Sequence, residues 1–465
     1  MKVSLAKIAK YTGGTLQGDE GAIVKSAVID SRKVINDCLF VALKGERTDG
    51  HLFVESALNS GAKAALVQKE YIRKNNENVV VVEDTAKAMG DIAAGILKDR
   101  GESLIKVAVT GSVGKTSTKD MIAFVFASYF NTLKSQLNHN NELGLPMTVM
   151  KLEDEHEVLV SEMGMRGIGH VEYLTNIVKP NIAIITNIGI AHLEHLGTRE
   201  NILRAKLEVC KGMKEGGTLV LNGDNDMLSN ESAVRSIIKE YGAPMPKIVY
   251  FGTDGNSEYK ATNIHGSSYV LKTPDGKEIQ VNLKVPGVHN VYNSMAAVCV
   301  AGAAGISVEK AVAALENFGD DVSRQKIIET PWGILVDDTY NASPESMEAS
   351  LSVLSELKAD VKIAALADML ELGDMTETAH RRVGKKACEC VDVLVAVGNT
   401  SVLYYEEFSG VRKLHLNDSA AGANELTKII GGYMKEGKRV ALLAKGSNAM
   451  RMNIISEALI HYGGL

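Results

Sequence analysis

The chain has 465 residues and a formal net charge of −6, from 51 Lys and Arg against 57 Asp and Glu. With 45% hydrophobic and 23% charged residues it is not a disordered chain, and its length suits about three domains. No apolar run reaches the ~20 residues of a membrane span, no basic cluster suits bulk nucleic-acid binding, and MKVSLAKIAK has no signal-peptide core. A cytoplasmic protein is expected. The five cysteines (38, 210, 299, 388 and 390) have neither redox nor zinc spacing, so free thiols are expected.

Short β-branched runs alternate with Ala-rich helical stretches, which predicts an α/β fold with parallel sheets. The first hundred residues carry Asp30-Ser31-Arg32 and a charged loop bracketed by Gly45 and Gly50. Arg32 and Lys44 suit either a bound pyrophosphate or a solvated loop. The polar stretch 99–103 marks a first seam and 317–321 a second. Domains of 1–101, 102–318 and 319–465 follow.

The middle piece opens with a predicted strand at 106–109, running into Thr110-Gly111-Ser112-Val113-Gly114-Lys115-Thr116-Ser117 and then a helical pattern. Amides of a Gly-rich turn at a helix N-terminus cradle anions. Lys115 then reaches the outer phosphates, and Thr116 offers its hydroxyl to magnesium. The common form of this loop has Gly where Val109 stands. Strands are predicted at 158–160, 182–186, 218–221 and 248–251, and a hairpin around Pro274-Asp275-Gly276. Glu162, after the first of these, suits either a magnesium anchor or an exposed strand end. His192, in the loop after the second, suits either a metal or a cap.

A helical stripe of Ile202, Leu203, Cys210 and Met213 includes Lys206, while Arg204, Glu208 and Lys211 fall mostly elsewhere. A buried lysine loses its charge easily, and the neutral amine acts as a base, forms a Schiff base or takes up carbon dioxide as a carbamate. A snorkelling lysine is the alternative. Asn290 and Asn293, three apart at a helix start, suit an adenine edge or a helix cap.

The last piece has predicted strands at 334–336, 361–366, 391–397 and 439–444. Asp337-Asp338, Asp368 to Glu371, and Lys445-Gly446-Ser447 each follow a strand, where doubly wound sheets bind ligands. Three such clusters suggest a cleft facing the nucleotide-binding piece.

Eleven strings in order carry a resemblance: DSR, FVALKGERTDGHLF, TGSVGKTS, NHNNELGLP, SEMGMRGIGH, TNIGIAHLEHLGT, RAKLE, VPGVHNVYNSMAA, DDTYNASPESM, ALADMLELGD and LLAKGS. Over essentially its whole length the chain resembles the Mur ligases, whose phosphate loop has the T-G-x-x-G-K-T form. The resemblance implies an N-terminal domain for a UDP-muramyl substrate, a central P-loop domain for ATP and a Rossmann-like C-terminal domain. It implies activation of a carboxylate as an acyl phosphate and attack by an amine. The strings most resemble family members that add D-alanyl-D-alanine to UDP-N-acetylmuramoyl-tripeptide.

The resemblance implies roles for residues. Gly111, Ser112, Gly114, Lys115, Thr116 and Ser117 hold phosphates. Thr116, Glu162, His192 and Lys206 serve a two-cation magnesium site, Lys206 as a carbamate. Asn290 and Asn293 lie on the adenine side, and Arg324 and Asp338 close on ATP. Ser31 and Arg32 lie at the UDP end, Asn140 and Asn141 near the muramyl group or γ-phosphate, and Lys445 and Ser447 near the dipeptide. A monomer is expected, with no nucleic-acid partner and no membrane span. The family often has Gly where Ala367 stands and a basic residue where Asn448 stands. Two alternatives stand beside this reading: the sibling ligase adding lysine or diaminopimelate as third residue, and a P-loop nucleotide switch.

Overall fold

The computed structural model describes residues 1–71, 77–136, 138–255, 257–319 and 324–463. Three large sheets follow one another along the chain. The first has five strands in the order Thr15–Gln17, Val79–Val82, Ala64–Gln68, Cys38–Val41 and Ser26–Val28. All its pairs are parallel except the first. Its core, around Leu39, Leu66, Val80 and Ile92, continues into Val149, Leu159 and Ile177 of the next body. The first sheet is therefore packed against the second rather than tethered to it.

The second sheet has nine strands, with Ile105–Thr110 between Ile182–Ile185 and Val158–Glu162. These strands are nearly continuous apolar runs, as a parallel sheet covered on both faces requires. Helix Lys115–Ala127 packs Met121, Ile122, Val125 and Phe126 on one face of the sheet, beside helix Val288–Ala303. At the far edge Ser268–Lys272 and Glu278–Asn282 pair antiparallel around the expected Pro-Asp-Gly turn.

The third sheet has six strands, in the order Lys326–Thr330, Gly333–Asp338, Val440–Lys445, Val361–Ala367, Val393–Val397 and Arg412–Leu416, parallel except for the first pair. Helices cover both faces, giving two separate cores.

Several expectations need correction. The strand expected from 391 begins at Val393, because Val391 caps helix Thr376–Cys390. The strand expected to reach Thr186 ends at Ile185, where Thr186 turns its hydroxyl to Val113 O. The stripe through Met213 is not one α-helix: Arg199–Leu207 tightens into a 3-10 helix at Glu208–Gly212. Glu208 is buried rather than outward, its carboxylate accepting from the Gly169 and Glu172 amides. Residues 320 and 321 of the second seam lie outside the described residues. No helix among the described residues is long and apolar enough to cross a membrane.

Candidate active site

A cleft of about 1740 Å³ runs between the second and third sheets and reaches Asp84 and Lys87 of the first body. The carboxyl ends of several parallel strands deliver its lining, as open α/β sheets do. Strand Ile105–Thr110 delivers the phosphate loop. Gly111 has φ +149, and a Cβ there would lie within 2 Å of Thr186 Oγ1, so no other residue fits without moving that strand end.

The loop's polar groups are satisfied by its own carbonyls and by the segment after strand Ile182–Ile185. Ser112 N donates to Asn187 O (3.0 Å) and Oδ1 (3.1 Å), and Val113 N to Asn187 Oδ1 (2.9 Å). Ser112 Oγ accepts from Gly189 N at 2.9 Å. Lys115 Nζ folds back on Gly111 O (2.8 Å) and Ser112 O (3.0 Å). Burial pushes its ammonium below the usual value, against the pull of Glu162. Ser117 lines the cleft from the first turn of the helix.

Glu162 closes its strand at 2% exposure. Its Oε2 accepts from Thr116 Oγ1 (2.9 Å) and its Oε1 from Asn140 Nδ2 (2.8 Å). Among the described residues no lysine or arginine forms a salt bridge with it. A buried carboxylate held only by neutral donors is a poor place to leave a charge and a good place to add a cation. Lys206 is 1% exposed and lines the same cleft. Burial, then Lys115, push its ammonium well below the usual value. No hydrogen bond to its amine exists among the described residues, so the snorkelling alternative is not what the structure has. Among those residues no three His, Cys, Asp or Glu side chains converge as a metal site. The oxygen donors of Thr116 and Glu162 nevertheless suit a hard cation.

His192 lines the same cleft from the second body, its backbone in the left-handed region, φ +66, with Nδ1 2.7 Å from Glu371 Oε2 of the third. Burial, Lys115 and Lys206 hold its imidazolium below the usual value, against Glu371. Asn290 and Asn293 are buried inside helix Val288–Ala303, whose cap is Gly287, so neither caps it. Asn290 Nδ2 donates to Pro286 O (2.8 Å) and Asn293 Nδ2 to Asn290 Oδ1 (3.1 Å), while Thr118 Oγ1 donates to Asn293 Oδ1 (3.0 Å). Asn141 Oδ1 accepts from Gly144 N at 2.8 Å and holds the next helix start.

The third sheet brings Asp338 and Lys445 together, although the sequence points them at different substrates. Lys445 Nζ donates to Asp338 Oδ2 at 2.5 Å and to Asn341 O at 3.1 Å, and Ser350 Oγ donates to Asp338 Oδ2 at 2.7 Å. Burial alone would raise the Asp338 carboxyl, but Lys445, Ser350 and His289 hold it below the usual range. Ser447 Oγ accepts from Leu370 N at 2.9 Å. The Arg324 guanidinium stacks over the Tyr340 ring. Ser31 and Arg32 do not line the cleft. Arg32 is turned on Asp30, Nε to Oδ1 at 2.9 Å and Nη2 to Oδ2 at 2.8 Å. Sequence reasoning missed Asn187, Tyr340 and the contact of Glu371. Only their places just past strand ends could have signalled them.

Family profiles match three consecutive stretches: "Mur ligase family, catalytic domain" over 24–96, "Mur ligase middle domain" over 109–301 and "Mur ligase, glutamate ligase domain" over 323–446. The chain is 33% identical to the UDP-N-acetylmuramoyl-tripeptide–D-alanyl-D-alanine ligase of Bacillus subtilis, over 99% of each chain. The chain belongs to the Mur ligase family. Among solved structures, MurF from Acinetobacter baumannii superposes with a TM-score of 0.88 at 31% identity, covering 99% of each chain. MurF from Thermotoga maritima, solved in complex with ADP, gives a TM-score of 0.77 at 26% identity over 94% of this chain and 97% of that one. The three-body α/β architecture, with a P-loop in the middle, is thus that of a Mur ligase.

Proposed function

We propose that this Mur ligase joins D-alanyl-D-alanine to the terminal carboxylate of UDP-N-acetylmuramoyl-tripeptide, with ATP as the energy source, in cytoplasmic peptidoglycan precursor synthesis. One observation carries the reading. A phosphate loop, a buried carboxylate held by neutral donors and a buried amine with no hydrogen bond among the described residues line a single cleft. The name of the Bacillus relative supports the choice of substrates. The chain divides at 101/102 and 318/319 into bodies for the UDP-muramyl group, ATP and the incoming dipeptide, and works as a monomer.

Lys115 leaves the loop carbonyls for the outer phosphates. Asn187 gives up the Ser112 and Val113 amides, which then donate to phosphate oxygens. Asn290 and Asn293 face the adenine, and Arg324 and Asp338 close from the third sheet. Asn140 and Asn141 face the muramyl side, Ser31 and Arg32 the UDP end, and Ser447 the dipeptide. Lys445, committed to Asp338, serves by holding that carboxylate.

Thr116, Glu162 and His192 would hold magnesium, with Lys206 once its neutral amine has taken up carbon dioxide as a carbamate. Bound there, magnesium offsets negative charge on the phosphoryl group being moved. The tripeptide carboxylate takes the γ-phosphoryl group to give an acyl phosphate. The dipeptide amine attacks its carbonyl carbon and loses a proton, and the tetrahedral intermediate expels phosphate. Substrate labelled with oxygen-18 in the terminal carboxylate tests this. One labelled oxygen should appear in the released phosphate, and unlabelled phosphate would exclude the acyl phosphate.

A further inference from the structure

The loop after strand Val361–Ala367 is pinned at several points. The Asp368 carboxylate accepts from Asn399 N (3.0 Å) and Ser401 N (2.6 Å). Met369 N donates to His380 Nε2 (3.1 Å), and Leu370 N to Ser447 Oγ. Each of these anchors belongs to the third body. Glu371 instead sends its side chain across the cleft, to His192 Nδ1 of the second body.

The contact is built rather than casual. His192 and Glu371 both have non-glycine left-handed backbone, φ +66 and +62. Such residues are uncommon and cost free energy that the surroundings must offset. The two loops also interlock beside the pair. Glu194 N donates to Glu371 O at 3.5 Å, and a Cβ on Gly373 would lie 3.3 Å from Glu194 Cα. An ionised carboxylate accepts only, so the proton of this bond belongs to Nδ1. In the neutral ring, Nε2 is then the free acceptor, on a residue that lines the cleft.

We propose that Glu371 is a positioning residue. Carried by the third body, it fixes the tautomer and ring orientation of His192 on the second, so that the metal side of the site is complete only when the third body is docked. A carboxylate behind an imidazole does this at metal sites generally. The inference rests on the ligase reading only for what Nε2 then binds.

The test has two readings on the full chain. Nitrogen-15 NMR of histidine-labelled protein, without metal or nucleotide, should show His192 as a single Nδ1–H tautomer. In Glu371→Ala the ring should shift toward the Nε2–H form. Glu371→Gln keeps an acceptor oxygen and should retain the Nδ1–H form, which guards against a folding defect in the alanine variant. An unchanged tautomer in Glu371→Ala, or an Nε2–H ring in the unaltered protein, overturns the proposal whatever the enzyme does. Manganese titration of the same proteins should then show about tenfold weaker binding in Glu371→Ala, the lower end of the loss expected when such a partner is removed. Equal affinity in the two proteins overturns the positioning role. No manganese binding by the unaltered protein would instead fail the metal reading of the site, leaving the tautomer result to stand or fall alone.

Discussion

At the scale of single residues, the site turns on groups whose surroundings cost them their ordinary charge. Lys206 is the clearest. Its helix buries it with no hydrogen-bond acceptor among the described residues, which favours the neutral amine. Lys206→Ala should lose most activity and regain part of it when short carboxylic acids are added, because a small carboxylate can replace the carbamate oxygens. Full activity in the unsupplemented variant would remove the carbamate role, and steady-state rates with and without acetate decide it. Much of this residue was legible in the sequence, since one lysine inside an apolar stripe is a local pattern. The role of Asn187 was not. It fills the phosphate cradle through a loop 74 residues further along the chain, and no spacing rule reports that.

At the scale of elements, the apolar strands of the second and third sheets could be read because each buries both faces. The short strands, such as Thr15–Gln17 and Thr132–Lys134, could not, since three residues, none of them buried, are too few to establish a period. Neither could the pairing of strand Gly333–Asp338 with Val440–Lys445, which sets Asp338 beside Lys445 across 107 residues of sequence. That pair makes a stability prediction. Lys445→Met leaves a buried carboxylate without its cation and should cost about 3–5 kcal/mol at neutral pH by urea unfolding.

The dependence on pH has a definite sign. With Lys445 present the Asp338 carboxyl is depressed. Its contribution to stability is full above the unfolded carboxylate value, about 3.9, and is lost as pH falls through the lower folded value. In Lys445→Met burial raises that carboxyl, so its contribution is present in acid and is lost as pH rises. The stability difference between the two proteins should therefore shrink toward acid pH. A difference constant from neutral pH to pH 4 would contradict the pairing.

At the scale of the whole molecule, three bodies share one cleft, and residues assigned to one reaction sit on different bodies: Lys115, Glu162 and Lys206 on the second, Asp338 and Glu371 on the third. The order of eleven short strings made this architecture legible, whereas the fit between bodies depends on loop contacts such as His192 with Glu371. Domains that share a site usually move on binding. X-ray scattering should show a smaller radius of gyration when a non-hydrolysable ATP analogue and the muramoyl-tripeptide are added together, and unchanged dimensions would count against closure. The central claim is the reaction itself, and phosphate release measures it most directly. With ATP, magnesium and UDP-N-acetylmuramoyl-tripeptide, release should require D-alanyl-D-alanine and yield a product heavier by that unit. Release without the dipeptide would point to a nucleotide switch. Release only with the muramoyl-dipeptide and a diamino acid would contradict the assigned substrates and make the chain the sibling ligase.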